Sequence, residues 1–589
     1  MPYIGKLKDL DARIVKLAEF LGISCASVAL APAIDHADFL KKSVPDECSC
    51  FAANPAVLKD WLGSHISDEL VAFLLSRFTH LLVYGLRGDA FDAELISALS
   101  KGRVKSVEPI DGENSVYTIA EDSKDVCEAF AGLSFGPVNP VNDHVLSPSN
   151  DGHCVRSIIS IAGRPMMASL KSDQCTIWLL AGADVVDIDA EAGDEPLSKY
   201  FSRFLPHAMA LRAIFGEESW RPGEQHASVI IDDPLLQSSY GFLNFESLLG
   251  LMKEHNFSTT IAFIPYNYRR SATKIARLFR DNCDRFSLCF HGNDHMDAEF
   301  ASDDTARLNT MLQIAERRMN LHKQITGVGC DRVMVFPQGK FSVPAMAVLK
   351  SRNFLAAVNT VPKPRNSDAR LSFAEIAQPA VLRYGSFPLF LRKDCLHTQS
   401  ADIAFNCFFG RPVLIVEHHD ILRNSQILAD AATRINMVAS AIRWSNLATA
   451  VSGSLLARRT SEGVHQIRAY SGTVRVHNDS GAVKRCSVEW NWSGKQESLD
   501  GHVLEDGMPS TSYVADSAGT QVLVDLPPHS SRTLSLTHQN LYGSLKSIGM
   551  RQSARAFLRR RLSEVRDNYL SKSPRVLAAA KTLQQRLPH

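Results

Sequence analysis

Two short clusters of carboxylate and imidazole side chains are the most specific indication of chemistry in this sequence. Asp232 and Asp233 directly follow one apolar run, and His291 and His295 directly follow another. Two imidazoles and one carboxylate are ligands that suit Zn²⁺ or another first-row divalent cation. The two clusters therefore predict a mononuclear metal site that leaves one carboxylate unused.

The unused carboxylate has a chemical role in a hydrolytic site. A divalent metal lowers the pKa of its bound water towards about 7, so a neighbouring carboxylate can take the proton. The leaving group then needs an acid, and a histidine at the same place suits that role. The run Glu417-His418-His419-Asp420 follows a third apolar stretch and supplies two such histidines.

The elements that must position these clusters are strands of a parallel sheet. Between residues 227 and 450, apolar strand-like runs alternate with helical stretches. Seven such runs predict a parallel α/β barrel, closed or partly open. The runs are residues 228–231, 259–264, 286–290, 332–336, 355–359, 381–384 and 413–416. Because the carboxyl ends of barrel strands carry the site, the three clusters should converge on one mouth.

The remaining sequence predicts further domains, since 589 residues exceed what one hydrophobic core usually serves. Residues 1–215 predict an α/β domain of unknown role, and residues 222–452 contain the barrel. Short alternating runs in residues 455–540 are typical of a β-sandwich. Residues 545–589 predict a basic amphipathic helical tail, with eleven basic residues against two acidic ones.

Composition limits the cellular compartment and the classes of partner that we expect for this protein. The formal net charge of +1 gives no indication of a nucleic-acid partner. We recognise no signal peptide and no apolar run long enough for a membrane span. Twelve cysteines without a CxxC pair indicate reduced thiols and a cytoplasmic protein. The basic tail could lie on the inner face of an anionic membrane, or dock on a polysaccharide-assembly partner.

The barrel region resembles the polysaccharide deacetylase (NodB-homology) family, which is carbohydrate esterase family 4 and its distant relatives. The first family motif ends a strand with Asp-Asp, as do Asp232 and Asp233. The second is His-[Ser/Thr]-x-x-His, which His291 and His295 match, with Gly292 in place of the hydroxyl residue. The resemblance implies a distorted (β/α) barrel, Asp232 as catalytic base, and Asp233 with both histidines as ligands of a divalent metal, most commonly zinc.

Two later motifs match in part. Residues 335–339 correspond to an Arg-x-Pro-aromatic-Gly motif, but no arginine stands at the aligned position. The nearest, Arg332, opens the strand at its far end, so the alignment provides no arginine to orient Asp232. The final motif is an apolar strand that ends in His-Asp. It implies that His419 is the general acid, with His418 as the fallback.

The sequence therefore predicts a metal-dependent hydrolase that removes N-acetyl groups from an amino sugar in a polysaccharide or glycoconjugate. One alternative is a glycoside hydrolase on a related barrel, which would use two carboxylates, Asp232 with Glu417 or Asp294. A second alternative is a catalytically decayed protein that binds sugar or scaffolds polysaccharide assembly. In each case the expected partner is a glycan or glycoconjugate.

Overall fold

The structure is a computed structural model of the chain. It describes residues 1–3, 7–31, 35–63, 66–110, 115–149, 154–193, 195, 197–296, 298–490, 501–509, 513–516, 519–538 and 550–569. Parts of the predicted β-sandwich and helical tail, among them residues 491–500 and 570–589, lie outside the described residues. Within the described ranges, no helix has the length and apolar character that crossing a bilayer requires.

The first 215 residues build a mixed sheet flanked by helices. In spatial order its strands are Cys50–Ala53, His80–Val83, Cys175–Leu180, Arg164–Ser172, Val155–Ile161, Tyr117–Ile119 and Ser134–Phe135. Two further pairs are Pro2–Tyr3 with Val28–Ala29 and Val104–Pro109 with His144–Pro148. The helices are Asp9–Phe20, His36–Ser43, Pro55–Leu62, Asp68–Arg77, Ala90–Ser100, Lys124–Cys127 and Phe201–Phe215.

The middle of the chain forms a curled parallel sheet, which confirms the prediction of an α/β fold. Its strands are β1 (His226–Asp232), β2 (Thr259–Phe263), β3 (Phe286–His291), β4 (Asp331–Val335), β5 (Ala356–Asn359), β6 (Leu389–Leu391) and β7 (Val413–His418). The spatial order is β6-β5-β4-β3-β2-β1-β7, and every neighbouring pair is parallel. A single parallel bridge between Lys393, after β6, and Ile415 of β7 links the two edges of the sheet.

Helices cover the outer face of this sheet. They are Phe245–Glu254, Thr273–Asp281, Thr305–Thr326, Val343–Ser351, Phe373–Ile376, Ser400–Phe408 and Gln426–Val438. The helix Leu447–Gly453 instead packs on the inner face, with Ile230. Every residue of β1 is buried, as is typical of a strand covered on both faces. Val229 and Ile231 join the large cluster formed with these helices, whereas Ile230 joins a smaller cluster on the other face. Asp232, two residues after Ile230, therefore points to the inside of the curled sheet.

The predicted sixth strand, residues 381–384, is wrong. Val381 makes only an isolated antiparallel bridge with Leu389, and the parallel strand is β6. Gly385 and Ser386 both adopt positive φ, 64° and 49°, and turn the chain directly after the apolar run. Residues 381–384 and β6 are both short and apolar, and it is β6 that pairs with β5. The error matters because Arg392 directly follows the correct strand.

Residues after 454 build two sheets, one of which also includes an earlier short strand, Arg221–Pro222, at its edge. The other strands of this sheet are Leu455–Arg459, His465–Ala469, Lys484–Trp490, Gly519–Leu526 and Tyr513–Asp516. The other sheet contains Thr473–Asn478, Ser530–His538, Gly501–Glu505 and Met508–Pro509. One apolar cluster includes side chains of both sheets. A final helix, Met550–Asn568, is called the basic helix below.

Candidate metal centre and catalytic mouth

Asp233, His291 and His295 converge at the mouth, the end of the curled sheet where its strands have their carboxyl termini. Asp233 Oδ1 lies 3.4 Å from His291 Nε2 and 3.3 Å from His295 Nε2. The three potential ligand atoms all lie within 4.8 Å of one another. Asp233 Oδ1 is buried and accepts no hydrogen bond from any residue that the structure describes. A buried carboxylate oxygen facing two imidazole nitrogens is an arrangement that a divalent cation would satisfy.

Both histidines direct Nε2 at this cluster. His291 Nδ1 lies 3.0 Å from the Val335 carbonyl oxygen, which can only accept, so Nδ1 carries the hydrogen and Nε2 is free. Burial lowers the pKa of His295 to about 4, which keeps that ring neutral. Burial also opposes the charge of His291, but Asp232 and Asp233 outweigh it and raise the pKa of His291.

A buried glutamate, Glu299, holds the loop that carries the second histidine. Its carboxylate accepts backbone N–H groups of Asn293 at 2.6 Å, Asp294 at 3.1 Å and His295 at 3.1 Å. Gly292 has φ of 66°, and a Cβ there would lie 2.1 Å from Glu299 Oε1. A Cβ at position 292 would therefore collide with Glu299, which orders the loop. Glu299 was not predicted from the sequence.

Arg392 orients Asp232, which corrects the expectation that no arginine does so. Its Nη1 and Nη2 donate to Asp232 Oδ1 and Oδ2 at 2.7 Å and 2.6 Å, and both side chains are buried. Burial would raise the pKa of Asp232, but Arg392 and His291 outweigh it and lower that pKa. Arg332 instead pairs with Glu316, away from the mouth. A clue in the sequence was an arginine that directly follows a short apolar run.

The two remaining acids considered for a glycosidase site have other partners. Asp294 is buried and forms an ion pair with Arg318. Glu417 Oε1 accepts the backbone N–H of Cys395 at 2.8 Å. Both carboxylates thus order loops at the mouth.

The two candidate acid histidines differ in their surroundings. His418 pairs with Asp232 across β7 and β1, and its side chain is exposed. His419 is buried, and its ring lies edge-on to Tyr240 with 5.3 Å between the centroids. At Gly241 a Cβ would lie 2.3 Å from His419 Nδ1, so only glycine leaves room for this ring. The structure thus brings both histidines to the mouth, with His418 beside Asp232 and His419 beside Tyr240.

The basic helix supplies a carboxylate to His419. Asp567 Oδ1 lies 3.7 Å from His419 Nε2, and Asp567 Oδ2 accepts the Tyr240 hydroxyl at 2.7 Å. Burial opposes ionisation of Asp567, but hydrogen bonds from His419, Arg566 and Tyr240 lower its pKa to about 2. Two turns towards the start of the helix, Arg560 Nη2 lies 3.4 Å from His295 Nδ1. A role of this tail at the site was not predicted, because 327 residues separate Tyr240 from Asp567.

No family model and no curated protein matches the chain. Among solved structures, a family 4 carbohydrate esterase from Streptomyces lividans in complex with acetate is 12% identical, with a TM-score of 0.24, over 38% of this chain and 94% of that one. A peptidoglycan deacetylase from Bacillus subtilis is 10% identical, with a TM-score of 0.22, over 38% and 90%. A family 4 pseudoenzyme from Bacillus anthracis is 11% identical, with a TM-score of 0.23, over 37% and 64%. Two of these three structures are described as members of carbohydrate esterase family 4.

Proposed function

We propose that this protein is a metal-dependent hydrolase that removes N-acetyl groups from an amino sugar in a glycan or glycoconjugate. One observation carries the proposal: Asp232, oriented by Arg392, lies beside a second aspartate that faces two imidazoles. This arrangement provides a fixed carboxylate base next to a set of metal ligands. Hydrolysis of an amide needs both.

Asp233, His291 and His295 would hold the cation, since their donor atoms face one another and Asp233 Oδ1 has no other partner. Two imidazoles and a carboxylate leave further coordination positions open, as catalytic sites require. When bound, the cation would act as a Lewis acid towards water and the amide carbonyl. Zinc is the ion that this donor set suits best.

Asp232 would take the proton from the water that attacks the acetyl carbonyl carbon. Arg392 occupies one lone pair on each carboxylate oxygen and leaves others for the water. A bond forms between the water oxygen and the carbonyl carbon, and the carbon–nitrogen bond then breaks. His419 would donate a proton to the departing nitrogen, with Asp567 as its carboxylate partner. The products are acetate and the free amine.

The contacts at the mouth favour this function over the two alternatives. A glycoside hydrolase needs a second free carboxylate opposite Asp232, and both Glu417 and Asp294 already have structural partners. A decayed site was suggested by the missing motif arginine and by Gly292. Arg392 supplies the arginine contact, and Glu299 orders the loop where the family has a hydroxyl residue.

The test combines metal content with acetate release from N-acetylated chito-oligosaccharides, measured on the purified full chain. The expected result is about one equivalent of divalent metal and acetate release that stops when the metal is removed. Asp232→Asn should retain the metal and lose at least roughly 100-fold in rate, as loss of a general base does. Asp331→Asn is the matched control, because Asp331 lies at the opposite end of the sheet in β4.

Three outcomes would contradict the proposal. Acetate release by Asp232→Asn at the wild-type rate would remove that residue from the mechanism. Cleavage of the oligosaccharide chain that survives complete metal removal, without acetate release, would favour a glycoside hydrolase. Stoichiometric metal without hydrolysis of any acetylated sugar would favour a sugar-binding scaffold.

A further inference from the structure

The basic helix has the reverse polarity of an ordinary surface helix. Such a helix buries an apolar stripe and exposes polar residues. Here the charged side chains Arg560 and Asp567 are buried, with exposures of 9% and 5%. Large apolar side chains of the same segment are exposed, namely Phe557, Leu558, Leu562, Val565 and Tyr569. The helix therefore turns its apolar side away from the protein.

Polar contacts with the mouth fix this orientation. Asp567 accepts the Tyr240 hydroxyl, and Asn568 Oδ1 accepts the Gly241 N–H at 2.8 Å. Glu564 forms an ion pair with Arg270 at 2.5 Å. Rotating the helix to bury its apolar side would break these contacts and leave buried charges unpaired. The apolar side therefore stays exposed and is not covered by the part of the chain that the structure describes.

The apolar side is a continuous strip with cations along both edges. At about 100° per residue, Leu558, Leu562, Val565 and Tyr569 fall within a strip roughly 60° wide. Arg561 lies along one edge, and Arg555, Arg559 and Arg566 lie along the other. Arg561 and Arg566 are more than half exposed even though each contacts an acidic side chain of the helix.

This segment also concentrates the exposed apolar surface of the protein. Among the described residues, 15 large apolar side chains are exposed, and five of them lie between Phe557 and Tyr569. The other ten are scattered over the rest of the chain. A contiguous apolar patch bordered by polar residues marks an interaction site, whereas single exposed residues do not.

We propose that this outer face of the basic helix binds an anionic membrane surface. The apolar strip would enter the interface between headgroups and acyl chains, and the flanking arginines would contact the acidic headgroups. A strip with cations on both sides matches a planar anionic surface better than it matches a protein groove. Because the inner face of the helix contacts His419 and His295, binding would bring the mouth next to the bilayer.

Vesicle flotation of the full chain tests this proposal independently of any hydrolytic activity. The protein should bind vesicles of phosphatidylcholine mixed with phosphatidylglycerol, and should bind vesicles of phosphatidylcholine alone much more weakly. Added salt should weaken the binding, because it screens exposed charges. Leu558→Ser with Leu562→Ser should weaken binding to the anionic vesicles by roughly tenfold or more, since two leucines would leave the lipid.

The matched control is Val483→Ser with Leu523→Ser, an equally exposed apolar pair in the strands after residue 480. This control should bind vesicles like the wild type. If the leucine variant misfolds, Arg555→Gln with Arg561→Gln provides a second test, and should weaken binding and reduce its salt dependence. The proposal is overturned if the wild type binds no vesicles at low salt or if the control pair loses binding equally. It is also overturned if the strip instead mediates self-association. In that case the wild type and the control would have the mass of an oligomer in solution, and only the leucine variant would have a lower mass.

Discussion

Arg392 and Asp232 lie 160 residues apart in the sequence and form a buried two-point ion pair in the structure. The pair joins the end of β1 to the residue after β6, across the inside of the curled sheet. It lowers the pKa of the proposed base despite burial, so Asp232 stays ionised well into acidic solution.

Removing Arg392 should damage both stability and the pH profile. Arg392→Gln leaves a buried, unpaired carboxylate, so the free energy of unfolding should fall by about 3–5 kcal/mol. Because burial alone raises the pKa of Asp232, the acidic limb of the kcat/KM profile should move to higher pH. The wild-type stability that this pair provides is present above pH 3.8, the ordinary pKa, and is lost as pH falls through the lowered value.

Arg383→Gln is the matched control for Arg392. Arg383 also makes a two-point ion pair, with Glu375 at 2.6 Å and 2.7 Å, but it is 37% exposed. Its loss should cost less than about 1 kcal/mol and leave the pH profile unchanged. Denaturant unfolding and kcat/KM against pH provide the two measurements. Equal effects of the two variants would show that the buried pair has no special role.

Loss of Glu299 should weaken metal binding through the loop of His295. Glu299→Gln keeps the size but can no longer accept three N–H groups with two charged oxygens, so metal affinity should fall by roughly 10–100-fold. Glu316→Gln is the control, since Glu316 is also buried and ion-paired, with Arg352, but lies away from the mouth. Isothermal titration with zinc measures both. Unchanged affinity in Glu299→Gln would contradict the assigned role.

The metal-free protein should show the titration of Glu299 in its stability. Burial raises the pKa of Glu299 from 4.5 to about 7, so the folded state holds this proton more tightly than the unfolded state does. The stability of the wild type relative to Glu299→Gln should therefore be greatest below pH 4.5. It should fall by roughly 3 kcal/mol as the pH rises through about 7. Unfolding curves of the two apo proteins across this pH range measure the difference in their free energies of unfolding. A difference that does not change with pH would contradict a raised pKa of Glu299.

Metal should stabilise the fold through three side chains only. At a free concentration 100 times Kd, zinc should add about 2.7 kcal/mol to the free energy of unfolding. Asp233→Ala, His291→Ala and His295→Ala should each abolish most of this gain. His397→Ala, an exposed histidine elsewhere, should retain it. Thermal unfolding with zinc and with chelator measures the effect, and an undiminished gain in the ligand variants would place the metal elsewhere.

Asp567 should act on turnover through His419. Asp567→Asn should lower kcat by roughly tenfold or more with little change in KM, because the acid loses its charged partner. Asp420→Asn is the control, since Asp420 is exposed and adjacent to His419. An equal loss in both variants, or a change in KM alone, would contradict a positioning role.

The sequence by itself predicted the three candidate metal ligands and the type of sheet. Asp233, His291 and His295 directly follow apolar runs, and the carboxyl ends of parallel strands meet at one edge, so local patterns were enough to bring them together. The helix Thr305–Thr326 is likewise encoded locally, by its own apolar period.

Only the tertiary structure decided which residues orient and surround those groups. Arg392, Glu299 and Asp567 act through contacts whose partners lie far away in the sequence or in a loop without periodicity. Residues 381–384 and β6 are equally apolar, and only pairing with β5 separates them. The amphipathic character of the basic helix was visible in the sequence, but which of its two faces contacts the protein was not. Contacts between its charged side and the mouth turn its apolar side outward.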